Sequence, residues 1–366
     1  MKILITGNLG YVGPWVTRQL RARYPEARLV GADIGYFAHS LTDASHLPET
    51  LLDEQHFVDI RKPPRDLLSG VTAIVHLAAI SNDPMGKKYE AVTNDVNYRF
   101  SVEMARQSKD AGVRTFVFAS SCSVYGFAED APRTERSALD PLTAYARSKV
   151  LMEEALSGLA DDSFRVSCLR FATACGMSDR LRLDLVLNDF VASAVFKRKI
   201  TVLSDGSPWR PLINVKDMAR ALEWALERDK SAGGNFLIVN AGSDEWNYQV
   251  RDLAQAVARA LPGTEVSINQ QAQPDKRSYR VDFSMFRGLA PNHQPQLNLS
   301  QTVDDLRRGL EMVRDNTADL RMSSFVRLHV LDQLQAAGLL NDRLEWVNRP
   351  AAAAVAGLPG GRGDIQ

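Results

Sequence analysis

Cysteine is scarce in this sequence: the chain of 366 residues has three, Cys122, Cys168 and Cys175. They form no CxxC pair, so a disulfide framework is not indicated, and this usage is typical of a reducing cytosol. The six histidines show no HxxxH or HExxH spacing. We therefore expect a cytoplasmic protein without a metal site.

An excess of charge of one sign and long apolar runs are also missing. Lys plus Arg and Asp plus Glu both count 44, which gives a formal net charge of zero. Nucleic acids and anionic membranes attract a basic excess, so both are disfavoured and a small-molecule partner is expected. Apolar runs such as AIVHLAAI are too short to span a bilayer. The N-terminus enters a strand-like run without the basic leader of a signal peptide.

Short β-branched runs alternate with longer amphipathic segments through the first half of the chain. The strand-like runs are KILIT, RLVGAD, FVDI, AIVHLAA, TFVFAS and RVSCLRF, and helices are predicted over 14–24, 87–110 and 143–160. Strands that are apolar on both faces and alternate with helices predict an α/β fold with a doubly wound parallel sheet. From about residue 176 the regular alternation of strands and helices ends. The Gly-rich segment 349–366 is predicted to be disordered.

Three glycines, Gly7, Gly10 and Gly13, stand where the first strand hands over to a helix, in the stretch TGNLGYVG. Gly7 permits a tight turn, Gly10 lets the backbone approach a pyrophosphate, and Gly13 lets the helix pack closely on the strand. The helix N-terminus then offers free N–H groups to the phosphates. The same loop contains Asn8, Leu9, Tyr11 and Val12, which are predicted to bind the cofactor with the glycines. A purely structural turn is the alternative interpretation.

Acidic residues that end two further strand-like runs support a dinucleotide site. Asp33 follows the glycines by about twenty residues, where a carboxylate accepts the ribose hydroxyls of NAD and repels the 2′-phosphate of NADP. Asp59 and Ile60 suit the adenine, the first through a side-chain oxygen and the second through its apolar surface. A strand-end aspartate that caps the next turn explains Asp59 equally well.

The stretch TAYARSK places Tyr145 and Lys149 four residues apart, on one face of a predicted helix. An ammonium beside a phenol lowers the pKa of the phenol from about 10 towards neutrality, which makes Tyr145 a candidate general base for a sugar hydroxyl. Ser121 ends the strand in FVFASSCSVYG, where ligands of doubly wound sheets bind. A solvated helix face and a capping hydroxyl are the alternative interpretations.

These motifs together resemble the extended short-chain dehydrogenase/reductases, specifically the NAD-dependent nucleotide-sugar epimerase/dehydratase group. TGNLGYVG, HLAA, SSCSVYG and YARSK occur in the family's order over roughly residues 1–315. The resemblance implies a Rossmann-type NAD-binding domain over 1–175 and a smaller C-terminal α/β substrate domain mainly over 176–348, with some segments returning to the first sheet. It also implies a homodimer through helices 87–110 and 143–160. In HLAA it adds Leu77, Ala78 and Ala79 to the cofactor residues.

The resemblance also assigns residues that bind a nucleotide-diphosphate sugar. Asn188 in LVLNDF is placed at the diphosphate, while Arg210 and Arg277 are placed as phosphate- or nucleotide-binding arginines. Further candidates for the substrate pocket are Ser81, Asn82, Asp83, Ser123, Thr173 and Tyr279. Taken alone, an arginine in such a stretch is more often a solvated surface residue.

The residues after Ser121 separate members of the group. Cys122 and Ser123 stand where resembling 4,6-dehydratases carry an Asp and a Glu, which disfavours dehydration. Because side chains alternate between the two faces of a strand, Ser123 is expected on the same face of the sheet as Ser121. Cys122 is expected on the opposite face, in a packing role. What remains resembles a 4-epimerase, in which Tyr145 takes the O4 proton, C4 passes hydride to NAD, and the 4-keto sugar turns over before hydride returns.

Several alternatives stay open at the level of sequence. Thr173 stands where hexose 4-epimerases usually carry Asn, so the stereochemical outcome is open. A nucleotide-sugar 4-dehydrogenase or 4-ketoreductase would use the same triad but exchange its cofactor. A 4,6-dehydratase would need acids from elsewhere, such as Asp83. A non-enzymatic dinucleotide sensor is a further class, although such proteins commonly lose the Tyr/Lys pair.

Overall fold

The seven-stranded parallel sheet at the centre of the fold is formed by residues with apolar side chains on both faces. A computed structural model describes residues 1–81, 83–128, 131–272, 277–313 and 323–347 of the chain. Its strands are β1 (Lys2–Thr6), β2 (Arg28–Asp33), β3 (Glu54–Phe57), β4 (Ala73–His76), β5 (Thr115–Ser121), β6 (Arg165–Phe171) and β10 (Phe236–Ala241). They have the order β10-β6-β5-β4-β1-β2-β3, which confirms the predicted doubly wound α/β fold.

Helices cover both faces of this sheet. The helices of the first half are α1 (Gly13–Arg23), α2 (Asp83–Lys88), α3 (Glu90–Asn94), α4 (Phe100–Asp110) and α5 (Ala144–Ser157). Ile3 and Ile5 of β1 pack in one core with α1, whereas Leu4 between them packs in a second core with α4 and α5. This alternation is what the strand pleat requires when both faces are buried.

Two predicted elements have different bounds in the structure. The third strand is Glu54–Phe57 rather than FVDI, so Asp59 and Ile60 lie in the turn beyond it. The helix predicted over 87–110 is divided into α2, α3 and α4, with a π-helical turn over Asp95–Arg99 before α4. A homodimer through α4 and α5 stays a prediction.

The second half of the chain adds smaller sheets beside the carboxyl ends of the main strands. A three-stranded sheet contains β7 (Thr173–Cys175), β9 (Trp209–Asn214) and β11 (Asn247–Gln249), and a two-stranded sheet contains β8 (Lys199–Val202) and β12 (Glu265–Ile268). The helices here are α6 (Val186–Lys197), α7 (Val215–Glu227), α8 (Val250–Ala260), α9 (Ser284–Leu289), α10 (Leu299–Met312) and α11 (Arg327–Ala336). None of the helices in the described ranges is long and apolar enough to cross a bilayer.

A buried ion pair fixes α5 against the sheet. Arg170 on β6 and Glu153 on α5 are each 3% exposed, and their Nη2 and Oε2 atoms are 2.6 Å apart. Glu153 also accepts a hydrogen bond from Ser120 Oγ at 2.5 Å, and Arg170 donates to Tyr125 OH at 3.0 Å. Because α5 carries Tyr145 and Lys149, this network sets where those two side chains lie relative to β5.

Arg170→Met should lower the free energy of unfolding by about 3–5 kcal/mol, because it leaves the Glu153 carboxylate buried without its cation. The matched control is Arg307→Met on α10, which removes an exposed pair with Asp304 and Glu311 and should cost about 0–1 kcal/mol. Urea unfolding followed by circular dichroism measures both. Equal losses in the two variants would contradict a structural role for the buried pair.

Candidate active site

A cleft of about 1060 Å³ runs along the carboxyl ends of the main strands, between the two halves of the chain. Doubly wound sheets bind their ligands at this edge. The predicted cofactor residues that line it are Gly7, Gly10, Tyr11, Val12, Asp33, Asp59, Ile60, Leu77, Ala78, Ala79, Tyr145 and Lys149. The cleft therefore brings the glycine loop and the predicted catalytic residues into one site.

The glycine loop has a geometry that only glycine allows. Gly7 has a φ of +74°, and a Cβ there would lie 2.6 Å from the backbone nitrogen of Ala78. A Cβ on Gly13 would lie 2.0 Å from the backbone oxygen of Asn8, so the helix start and the loop are in direct contact. Val12, the residue that precedes α1, makes no capping hydrogen bond through its apolar side chain. The N–H groups at the start of α1 are thus available to an anion, which fits a dinucleotide diphosphate.

Three loop residues predicted to bind the cofactor, Asn8, Leu9 and Gly13, have structural contacts instead of lining the cleft. The Asn8 side chain donates to Gln55 Oε1 at 2.6 Å, and Leu9 is buried. The Leu9 N–H donates to Asp33 Oδ2 at 3.1 Å, and the Gly35 N–H donates to Asp33 Oδ1 at 2.7 Å. These bonds hold the Asp33 carboxylate at the cleft, while burial raises its pKa.

Asp59 lies in the cleft but is already paired. Its carboxylate accepts from the Arg61 backbone at 2.9 Å and forms an ion pair with the Arg61 guanidinium at 2.6 Å. The capping interpretation of Asp59 therefore describes its contacts in this structure. A contact of Asp59 or Ile60 with adenine stays a prediction.

Ser121, Tyr145 and Lys149 meet where β5 ends beside the start of α5. Ser121 Oγ accepts from the Ser123 N–H at 3.1 Å, and the Ser121 side chain is hydrogen-bonded to Tyr145. Lys149 is 3% exposed, and its Nζ donates to the Ala119 carbonyl at 2.7 Å. The same Nζ lies 5.4 Å from the centre of the Tyr145 ring. The arrangement places one phenol, one hydroxyl and one amine around the same end of the cleft.

The pKa of Tyr145 differs from the sequence-based expectation. Burial raises it to about 12, and the Ser121 side chain only partly opposes that rise. Burial also lowers the pKa of Lys149 to about 7, against the opposing charge of Glu153. The expectation that Lys149 brings the pKa of Tyr145 towards neutrality is therefore wrong, because burial of the two side chains disfavours both charged forms.

The predicted substrate residues that line the cleft are Ser81, Asp83, Ser123, Thr173, Arg210, Arg277 and Tyr279. Asp83 forms an ion pair with Arg277 from the other side of the cleft, and Arg210 donates to the Arg277 carbonyl. Asn82 lies outside the described residues.

Asn188 is an exception among the predicted substrate residues, because it is fully buried and does not line the cleft. Its amide oxygen accepts from the Gly176 N–H at 2.9 Å, and its amide nitrogen donates to Tyr11 OH at 2.9 Å and the Arg182 carbonyl at 2.8 Å. These three partners occupy the amide, so Asn188 positions residues around it. A direct contact with the diphosphate is not what its surroundings favour.

Sequence reasoning missed two buried arginines that line the cleft, Arg182 and Arg327. Arg182 donates to Ser81 Oγ at 2.9 Å and pairs with Asp184 at 2.9 Å. Neither arginine stands in a recognisable motif. No local signal distinguishes them from the solvated arginines of the same sequence.

The phenol of Tyr145 should ionise above pH 10 in the ligand-free protein, because its raised pKa keeps the proton bound at lower pH. Ultraviolet difference titration of wild type against Tyr145→Phe isolates this one phenol. The control is Tyr24→Phe, which removes a half-exposed tyrosine outside the cleft. A Tyr145 phenolate that forms near pH 7 would show that Lys149 dominates over burial after all.

Comparison with known proteins finds a family model, related sequences and solved structures that are similar to this chain. The model of the "NAD dependent epimerase/dehydratase family" matches residues 3–242. An uncharacterised UDP-glucose epimerase, YtcB of Bacillus subtilis, is 28% identical over 256 residues, covering 67% of this chain and 78% of that protein. UDP-glucuronic acid decarboxylase 1 of Arabidopsis thaliana is 26% identical over 351 residues, covering 93% and 73%. The structure of TunA, an NAD-dependent NDP-hexosamine 5,6-dehydratase, superimposes with a TM-score of 0.73 at 23% identity, over 86% and 98% of the two chains.

Proposed function

The chain belongs to the NAD-dependent epimerase/dehydratase family, and from that premise we propose that it is a nucleotide-sugar 4-epimerase-like enzyme. NAD is its cofactor, and the glycine loop, the start of α1 and the carboxylate of Asp33 fit that dinucleotide. Family membership leaves the reaction open, because the relatives include epimerases, dehydratases and a decarboxylase. The side chains near Ser121 favour one of these reactions over the others.

The two residues after Ser121 carry the proposal, because neither can act on a carbon-bound proton. Cys122 is fully buried outside the cleft, its Sγ donates to the Arg170 carbonyl at 3.1 Å, and burial raises the pKa of its thiol. Ser123 lines the cleft, and its buried Oγ has no hydrogen-bond partner within the described ranges. A thiol locked in the core and a neutral hydroxyl supply neither an acid nor a base for removing such a proton.

Asp83 does not replace the missing acid. Its carboxylate is paired with the Arg277 guanidinium across the cleft, so it is already engaged by another side chain. Dehydration with Asp83 as the acid is therefore disfavoured. The pair instead joins the two walls of the sugar end of the cleft.

The protein's own groups suit the removal and return of a hydroxyl proton at C4. As a phenolate, Tyr145 accepts the O4 proton, while the Ser121 hydroxyl donates a hydrogen bond to the same oxygen. Because burial raises the pKa of Tyr145, the positive charges of the nicotinamide ring and of protonated Lys149 would have to lower it in the complex. Lys149, anchored on the Ala119 carbonyl, lies beside the phenol and supplies positive charge when protonated. Arg210 and Arg277 hold the diphosphate of the sugar nucleotide. NAD, held by the glycine loop and Asp33, would supply the acceptor and donor of hydride at C4.

The test is turnover in heavy water with UDP-glucose and UDP-glucuronic acid, the sugar nucleotides in the names of two relatives. The product should be the 4-epimer with no deuterium on any ring carbon, because no carbon-bound proton exchanges with solvent. NADH absorbance should not change over the reaction. Proton NMR of the product gives the labelling. Deuterium at C5 would indicate dehydration or decarboxylation, and NADH accumulating with a keto sugar would indicate a dehydrogenase.

Tyr145→Phe and Tyr24→Phe form the matched pair for this reaction. Tyr145→Phe removes the proton acceptor and should lower kcat by ~100-fold or more. Tyr24→Phe removes a phenol on the outer face of the protein, where Tyr24 OH donates to Glu227 at 2.9 Å, and should leave kcat unchanged. Near-normal turnover by folded Tyr145→Phe contradicts the assignment of the base.

A further inference from the structure

The last described part of the chain, residues 323–347, folds back on the first half and is called the C-terminal clasp. Its residues Leu331, Leu340 and Leu344 are buried against Tyr36, Ile80, Met85 and Tyr89. The Trp346 ring N–H donates to the Ile34 carbonyl at 2.7 Å, and Arg61 donates to the Arg343 carbonyl at 2.6 Å. The clasp is therefore held to the loops after β2 and β3.

These loops form the end of the cleft beyond Asp33. Ile34, Tyr36, Phe37 and Arg61 line this end, and the clasp contributes Val326, Arg327 and Leu331 to the same lining. One wall of the cofactor half of the cleft thus comes from a segment far away in sequence. The family model ends at residue 242, before the clasp begins.

Arg327, the first residue of α11, is 2% exposed. Its Nη2 donates to the Arg180 carbonyl at 2.7 Å, and its guanidinium carbon lies 4.6 Å from the centre of the Phe37 ring. Its Nη1 is buried and has no hydrogen-bond partner in the part of the chain that the structure describes. A buried charged donor without a partner is costly, so this nitrogen is suited to an acceptor supplied by a ligand.

The surroundings of Arg327 favour an anionic ligand. Arg182 and Arg180 add positive charge nearby, and burial together with these cations lowers the pKa of Arg327 to about 9. Arg180 is itself paired with Glu49, and Arg182 with Asp184. No carboxylate forms an ion pair with Arg327 within the described ranges. Asp184 and Asp33 are close enough to act on Arg327 electrostatically, but within the described residues neither gives Nη1 a hydrogen-bond partner.

We propose that Arg327 binds the diphosphate of the dinucleotide through Nη1, and that the C-terminal clasp is part of the cofactor site. The cofactor half is favoured because the Arg327 guanidinium lies against the ring of Phe37, in the loop that follows Asp33, and all three residues line the cleft. The N-terminus of α1 and this guanidinium then contact the same diphosphate from different sides. The other diphosphate, that of the sugar nucleotide, is left to Arg210 and Arg277. The inference rests on NAD as the cofactor and not on the reaction at C4.

The experiment measures binding of NAD, ADP and UDP to wild type and to Arg327→Met by calorimetry. NAD and ADP, which share the adenosine diphosphate group, should bind ~10- to 100-fold more weakly to the variant, as expected for loss of one hydrogen bond to a charged group. UDP, a probe of the sugar-nucleotide end, should bind equally to both. The control is Arg343→Met, in the same clasp but with an exposed side chain outside the cleft, which should bind all three ligands as wild type does.

Circular dichroism and thermal melting show whether Arg327→Met is folded. Arg327→Lys keeps a cation but loses the forked guanidinium, and it should bind NAD several-fold more weakly than wild type while remaining folded. NAD and ADP affinities within twofold of wild type in a folded Arg327→Met protein overturn the proposal, as does a loss confined to UDP. If only Arg327→Lys folds, wild-type NAD affinity in that variant overturns it.

The outcomes also separate this inference from the proposed reaction. A wild-type protein that binds NAD with Arg327-dependent affinity but epimerises no sugar nucleotide refutes the proposed function and leaves the role of Arg327 standing. A wild-type protein that does not bind NAD overturns the role of Arg327.

Discussion

Burial of the ionisable side chains around the cleft is the constraint on which the proposed chemistry of this protein depends. Burial is the largest cause of the raised pKa of Tyr145 and of the lowered pKa of Lys149 and Arg327. Each of these groups is thereby shifted towards its neutral form, and each gains from a partner that a ligand brings.

The catalytic side chains need a rigid support, because a general base must lie within hydrogen-bond reach of the proton that it takes. The support is α5, whose Glu153 is paired with Arg170 of β6 and bonded to Ser120 of β5. Lys149 is in turn tied to the Ala119 carbonyl of β5. Helix and strand therefore present the predicted catalytic residues as one unit.

The parts of the fold that depend on local pattern could be predicted from the sequence. The apolar strands, the glycine turn and the Tyr145–Lys149 spacing all reflect short-range periodicity. The predicted third strand is misplaced because EQHF is a polar strand at the edge of the sheet, where one side stays unpaired. The predicted pKa of Tyr145 is wrong because its direction depends on burial, which four residues of spacing do not reveal.

Contacts between distant parts of the chain account for the rest of what the sequence could not show. The side-chain amide of Asn188 is hydrogen-bonded to Tyr11, Arg182 and Gly176, and only the folded chain brings these groups together. Arg327 likewise reaches the cofactor end of the cleft only because the clasp returns across the first half of the chain. Neither arrangement leaves a periodic or motif signal.

The central claim is that the hydrogen removed from C4 returns to C4 of the same sugar. Turnover of UDP-glucose deuterated at C4, followed by mass spectrometry and NMR of the product, tests it most directly. The account predicts that the deuterium is retained at C4 of the epimer. Deuterium found at C6, as when hydride closes a dehydration, or released on free NADH would contradict it.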